Sequence, residues 1–115
     1  MFIRKGQIEE IHLIEFLHDS IDSDCAKETF GEVETSVAAT DSVIFDLSSV
    51  EFVDSSGLGV LVSLLRESRT AGGEVKICGL TRPVRAMFEL VRMHKVFDIY
   101  NDRNEAVNAF LAARA

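Results

Sequence analysis

At 115 residues, 47% of them hydrophobic, the chain is long enough to bury roughly two thirds of its unfolded surface and too short for a second domain, so residues 1–115 read as one domain. A formal net charge of −7 argues against nucleic acid as a partner, because binding to phosphate backbones rests on concentrated Lys and Arg. No apolar run reaches the length of a membrane span, and the N-terminus lacks the basic start, apolar core and cleavage site of a signal peptide, which predicts a cytoplasmic protein without a membrane partner.

In chain order, Met1 to Arg4 reads as a short edge strand and Lys5-Gly6-Gln7 as a turn. From Ile8 or Ile11 through Leu17, apolar residues on both faces, Ile11 and Leu13 against Ile14 and Phe16, predict a strand buried on both sides. His12 and His18 have no second ligand at suitable spacing and read as packed or exposed residues. Ser23 or Asp24 can cap a helix that runs through Phe30, Val33 and Val37 to about Ala39. Gly31 inside it costs about 1 kcal/mol relative to alanine, and close packing against the sheet is the expected reason for it. Cys25 and Cys78 have neither metal-ligand nor redox spacing and read as reduced thiols packed as small hydrophobes.

Val43 to Leu47, apolar except for Asp46 and rich in β-branched and aromatic residues, predicts a strand. From Gly57 the period becomes helical, with Leu58, Leu61, Val62 and Leu65 in one stripe that Val60 and Leu64 widen, so this helix is mostly buried. Thr70-Ala-Gly-Gly73 ends it, and Glu74 to Cys78 is the next strand, parallel to the one before. Thr81 caps and Pro83 opens a third helix with Val84, Met87, Phe88 and Val91 as its apolar stripe. Arg82, Arg85, Arg92 and Lys95 read as a solvated face, with Arg85 and Glu89 at i, i+4 spacing. Phe97 to Tyr100 forms a final strand, and Asp102 or Asn104 caps a last helix carrying Val107, Phe110 and Leu111.

The chemistry concentrates at Asp54-Ser55-Ser56-Gly57, where a loop becomes a helix. All three polar residues can accept hydrogen bonds from free amides of a first helical turn, so one of them is the N-cap. A hydroxyl there has no base beside it and is a poor nucleophile, but it is a good acceptor of a phosphoryl group, because the positive end of the helix tolerates an anion. Capping alone would also account for these residues. Enzyme readings fail on the residues: the positions two before Ser55 and Ser56 are Val53 and Asp54, not the glycine of a nucleophile elbow, and Gly57-Leu58-Gly59 lacks the third glycine of a dinucleotide site. No catalytic or metal site and no cofactor is predicted.

The run Phe45-Asp-Leu-Ser-Ser-Val-Glu-Phe-Val-Asp54-Ser55-Ser56-Gly57-Leu58-Gly59-Val-Leu61 resembles the signature of the STAS domain, specifically the bacterial anti-sigma factor antagonists. The resemblance continues through Gly72 to Gly79, Pro83 to Leu90 and Val96 to Tyr100. It implies a STAS fold: a mixed, mostly parallel central sheet of four to five strands flanked by about four helices. It also implies that Ser55 is the phosphorylated residue; beside it, Asp54 is assigned to orienting the switch loop, Ser56 to capping, and Gly57 and Gly59 to letting a partner backbone or the sheet approach closely. Partner binding would fall to Asp19, Asp22, Ser55, Gly57, Leu58 and Gly59. The implied partners are an anti-sigma factor that is also a serine kinase of the GHKL ATPase type and a PP2C-type phosphatase, with this chain a monomer or weak dimer and not an enzyme. Asp19 replaces a glycine usual in relatives, and Met93-His94 replaces a small residue and Gly-Leu, departures that bear on partner choice. A different implied reading is a non-switching STAS subunit of a larger assembly, such as a lipid-transport complex or stress-signalling scaffold.

Overall fold

A computed structural model describes residues 3–114. Its elements are β1 (Ile3–Ile8), β2 (Ile11–Phe16), β3 (Ser20–Ile21), α1 (Ala26–Ala38), β4 (Ser42–Asp46), β5 (Phe52–Val53), α2 (Ser55–Thr70), β6 (Glu74–Cys78), α3 (Arg82–Leu90), β7 (Asp98–Tyr100) and α4 (Arg103–Arg114). The main sheet has five strands in the order β1-β2-β4-β6-β7, with β1 antiparallel to β2 and the other neighbours parallel. This is the mixed, mostly parallel sheet with about four helices that the resemblance implies.

Parallel strands covered on both faces must be apolar on both, and β4 satisfies this residue by residue. Val43 and Phe45 enter the larger core with Val33 and Val37 of α1, Leu61 and Leu64 of α2, and Val84 and Phe88 of α3. Ile44, between them, turns to the other face and meets Ile11, Cys78 and the Ala106, Val107 and Phe110 stripe of α4. Cys78 is deeply buried there; burial and the neighbouring Asp46 push its thiol up to about 12, so it stays protonated and inert. Both cysteines are free.

α4 is also held by charge. Arg103 Nε donates to Asp46 Oδ2 at 2.6 Å and its Nη2 reaches Glu15 Oε1 at 3.1 Å, linking α4 to β4 and β2. Lys76, buried beneath the helix, pairs with Glu74 at 2.6 Å and Asp98 at 3.2 Å and lies 4.8 Å from the Phe110 ring centre. The aromatic face and the two carboxylates together make an internal ammonium tolerable.

Several local expectations need correction. The turn lies at Glu9-Glu10 and not at Lys5-Gly6-Gln7: Ile8 pairs with Ile11 and Gly6 with Leu13, and Glu9 takes the left-handed backbone (φ 54°) that the two-residue connection requires. Met1 and Phe2 of the expected first strand lie outside the described residues. α1 is capped by neither Ser23 nor Asp24; the Asp22 carbonyl accepts the Cys25 and Ala26 amides, and its carboxylate accepts the Asp24 amide. A Cβ on Gly31 would meet nothing within 4 Å, so sheet packing does not explain that glycine. Thr81 holds the cap position of α3, but its hydroxyl donates instead to the Val50 carbonyl at 2.7 Å. Val91 is exposed, since Arg92 adopts a left-handed conformation (φ 63°) that ends the α3 stripe one turn early. Asp102, and not Asn104, caps α4 through the Glu105 amide. His18 is packed, its Nε2 2.9 Å from Thr29 Oγ1.

Candidate functional site

The chain leaving β2 and the chain leaving β4 meet at the carboxyl end of the parallel strands, the end at which sheets of this kind place their sites. There β3 and β5 form a two-stranded parallel ribbon, Ser20 opposite Phe52 and Ile21 opposite Val53. The Asp19 carbonyl accepts the Glu51 amide at 2.7 Å and the Phe52 amide at 3.3 Å, and the Ile21 carbonyl accepts the Asp54 amide at 3.3 Å. The loop after β2 and the loop after β4 are therefore one hydrogen-bonded unit.

Asp54 is the joint of that unit. Its extended backbone makes it the N-cap of α2, with Oδ1 accepting the Gly57 amide at 2.9 Å, while Oδ2 accepts the Ser23 amide at 3.2 Å. One carboxylate thus closes the first turn of α2 and ties it to the entry of α1. Gly57 completes the junction: a Cβ there would lie 2.0 Å from the Ile21 carbonyl oxygen and 2.9 Å from Val53 Cγ1, so only glycine lets α2 start against β3.

Ser55 and Ser56 are the first two residues of α2, and both are exposed. Because Asp54 does the capping, neither hydroxyl is needed to hold the helix; Ser56 does not cap, contrary to expectation. Gly57 is buried against Ile21 and shapes the surface without belonging to it, and Leu58 is half-buried against the core. Gly59 is exposed, with nothing within 4 Å of where a Cβ would stand. Asp19 is exposed beside the ribbon, whereas the Asp22 carboxylate is committed to its own loop, accepting Ser20 Oγ at 2.9 Å and the Asp24 amide at 3.0 Å. The Ser20 bond leads in holding the Asp22 carboxyl below its ordinary value. Of the six residues expected to meet a partner, Asp19, Ser55 and Gly59 are open to one. Phe52, outside that expected set, is 55% exposed at the same end, beside Val53 at 1%; a strand of two residues shows no period from which its orientation could be read. Among the described residues no group of His, Cys, Asp or Glu is arranged to hold a metal ion, and no helix is long and apolar enough to cross a membrane.

The capping assignment predicts unequal neighbours. Asp54→Ala is expected to lower stability by about 1–2 kcal/mol, since it removes a cap and the Ser23 tie together, while Ser56→Ala should stay within about 0.5 kcal/mol of the parent. Urea unfolding of the two variants checks this, and the reverse ranking would return the cap to Ser56.

Residues 6–106 match the family model described as the STAS domain. The anti-sigma F factor antagonist of Paenibacillus polymyxa is 29% identical over 65 residues, 56% of each chain. The match thus spans little more than half the length of that curated relative. A STAS domain protein from Planctomyces limnophilus superposes with a TM-score of 0.85 at 19% identity, covering 93% of this chain and 96% of that one. The anti-sigma factor antagonist SpoIIAA, in its unphosphorylated form, gives a TM-score of 0.76 at 16% identity over 96% of each chain. These likenesses carry the fold, and the family model spans nearly the whole sequence. The chain belongs to the STAS domain family.

Proposed function

We propose that this chain is an anti-sigma factor antagonist whose binding is switched by a phosphate on Ser55. The observation that carries the proposal is the division of labour at the start of α2: Asp54 caps the helix, leaving Ser55 exposed with no structural duty. A phosphate at a first helical turn is tolerated by the helix dipole and free amides, and it adds about −1.5 to −2 charges to the surface. The relative from Paenibacillus polymyxa is named as an antagonist of an anti-sigma factor, and SpoIIAA, alike in fold, has been solved in both unphosphorylated and phosphorylated forms.

In this reading the unphosphorylated chain binds an anti-sigma factor that is itself an ATP-dependent serine kinase of the GHKL type and so releases a sigma factor. The kinase transfers the terminal phosphoryl group of ATP to Ser55 Oγ, the hydroxyl proton leaves, and ADP is the other product. A PP2C-type phosphatase hydrolyses the ester and resets the switch. This chain supplies the acceptor and the surface, and the kinase supplies ATP and metal. Two unit charges about 4 Å apart at an effective dielectric near 20 interact by about 4 kcal/mol, so an acidic group on the kinase facing the phosphate would weaken binding by about three decades.

The test sets Ser55→Ala and Ser55→Asp baits side by side in lysate of the source cell, with bound proteins identified by mass spectrometry. A small ATPase kept by the alanine bait and lost from the aspartate bait is expected. The same proteins on both would refute the switch and favour a fixed subunit of a larger assembly. That second reading treats the serines as a cap, a duty Asp54 performs.

A further inference from the structure

Aromatic side chains the size of phenylalanine ordinarily bury most of their surface, yet Phe52 is 55% exposed. Its backbone is held firmly. The Phe52 amide donates to the Asp19 carbonyl at 3.3 Å, and the flanking Glu51 and Asp54 amides donate to Asp19 and Ile21 at 2.7 and 3.3 Å. From the other side, the Thr81 hydroxyl holds the Val50 carbonyl at 2.7 Å, and α3 packs against β5. Val53 points into the core, so alternation along β5 turns the Phe52 ring to solvent, three residues before Ser55.

A large ring presented on a backbone pinned at several points loses little freedom on binding, which is the character of residues that dominate interface energetics. Of the other exposed apolar residues, Ile8 lies at the β1–β2 turn and Leu90, Val91 and Val96 precede β7, at the amino end of the parallel strands, whereas Leu17, 39% exposed, follows β2 at the carboxyl end. Among the described residues Phe52 is the larger and more exposed of these two apolar groups at the end that carries the acceptor serine, and the nearer to Ser55 in the chain.

We infer that Phe52 is the anchor by which the kinase of the proposed switch grips this chain: its ring enters an apolar pocket on that partner and so delivers Ser55 to the phosphoryl donor. The inference rests on the Ser55 reading. Phe52 is a positioning residue that leaves the chemistry at Ser55 Oγ untouched, so it should govern affinity and KM and spare kcat.

The experiment uses the protein retained by the Ser55→Ala bait, purified and titrated against full-length chains. Adding Phe52→Ala to Ser55→Ala is expected to weaken binding by roughly 10- to 100-fold, whereas Phe52→Tyr, which keeps the ring, should largely preserve it. With Ser55 intact, Phe52→Ala should raise KM for phosphorylation by a similar factor at unchanged kcat, and its thermal unfolding should match the parent's. Unchanged affinity, a fall in kcat at constant KM, or a large loss of thermal stability would each overturn the role of Phe52 while leaving the switch standing. Identical proteins on the Ser55→Ala and Ser55→Asp baits would overturn the switch itself, and the anchor with it.

Discussion

Replacing Gly57 by alanine is expected to destabilise the chain by about 3 kcal/mol or more and to lower its melting temperature by roughly 10 °C or more. The added Cβ would stand 2.0 Å from the Ile21 carbonyl oxygen and 2.8 Å from its carbon, and these are backbone atoms of β3 that cannot rotate away as a flexible side chain would. Relief requires β3 to separate from the start of α2, which breaks the Asp54 amide bond to Ile21 and strains the Asp54 link to Ser23. The neighbouring Gly59→Ala supplies the control. It lies in the same helix with nothing within 4 Å of its Cβ position, so it should gain about 0.5–1 kcal/mol from helix propensity. Circular dichroism melts of the two variants should therefore move in opposite directions. A Gly57→Ala protein as stable as its parent would mean that β3 does not press on α2, and the rigidity of the surface around Ser55 would fall.

The second large effect is expected at Arg103. Arg103→Ala leaves the Asp46 carboxylate, in a residue 4% exposed, with the Ser48 amide but without its cation, and it removes one of the two cations beside Glu15. Losing one partner of a well-buried ion pair costs about 3–5 kcal/mol, but the Arg103 side chain is 42% exposed and water moderates the loss, so about 2–3 kcal/mol is expected. The loss should depend on pH. Burial pushes the Asp46 carboxyl up, but bonds from Ser48 and from Arg103 more than offset this and hold it below the ordinary carboxylate value. A carboxyl depressed in the folded state stabilises fully above the unfolded value of about 3.9 and loses that contribution as the pH falls through the lower folded value. The gap between parent and Arg103→Ala should accordingly be widest near neutrality and shrink below about pH 4. Denaturant midpoints from pH 3 to 7 measure it, and a gap independent of pH would assign the loss to packing of the arginine stem. His18 adds a slope nearer neutrality. Burial holds its imidazole below 6.5 despite Glu32 and Asp22, so the unfolded chain takes up protons more readily and stability declines as the pH drops through that value.

The alternation of strand and helix and the buried stripe of α2 were legible in the sequence because each rests on local periodicity, and the parallel pairing of β4 and β6 followed from the order strand, helix, strand. Val43 to Leu47, Leu58 to Leu65 and Glu74 to Cys78 state their own period within a few residues. The Asp-Ser-Ser-Gly run was legible for the same reason, since capping chemistry acts across a single turn. Tertiary structure decided which of its residues does which work. Asp54 became the cap and Ser56 did not, because the Asp54 carboxylate is also recruited by the Ser23 amide, 31 positions away in the chain. The β3–β5 ribbon has two residues per strand, too few to show a period, and exists because the loops after β2 and β4 leave the sheet side by side. Gly57 owes its place to the carbonyl of Ile21 and not to any turn of its own, and Phe52 faces solvent because Val53 faces the core. Local periodicity determined the layers of this fold, whereas the surface that carries Ser55 was decided by contacts between segments distant in sequence.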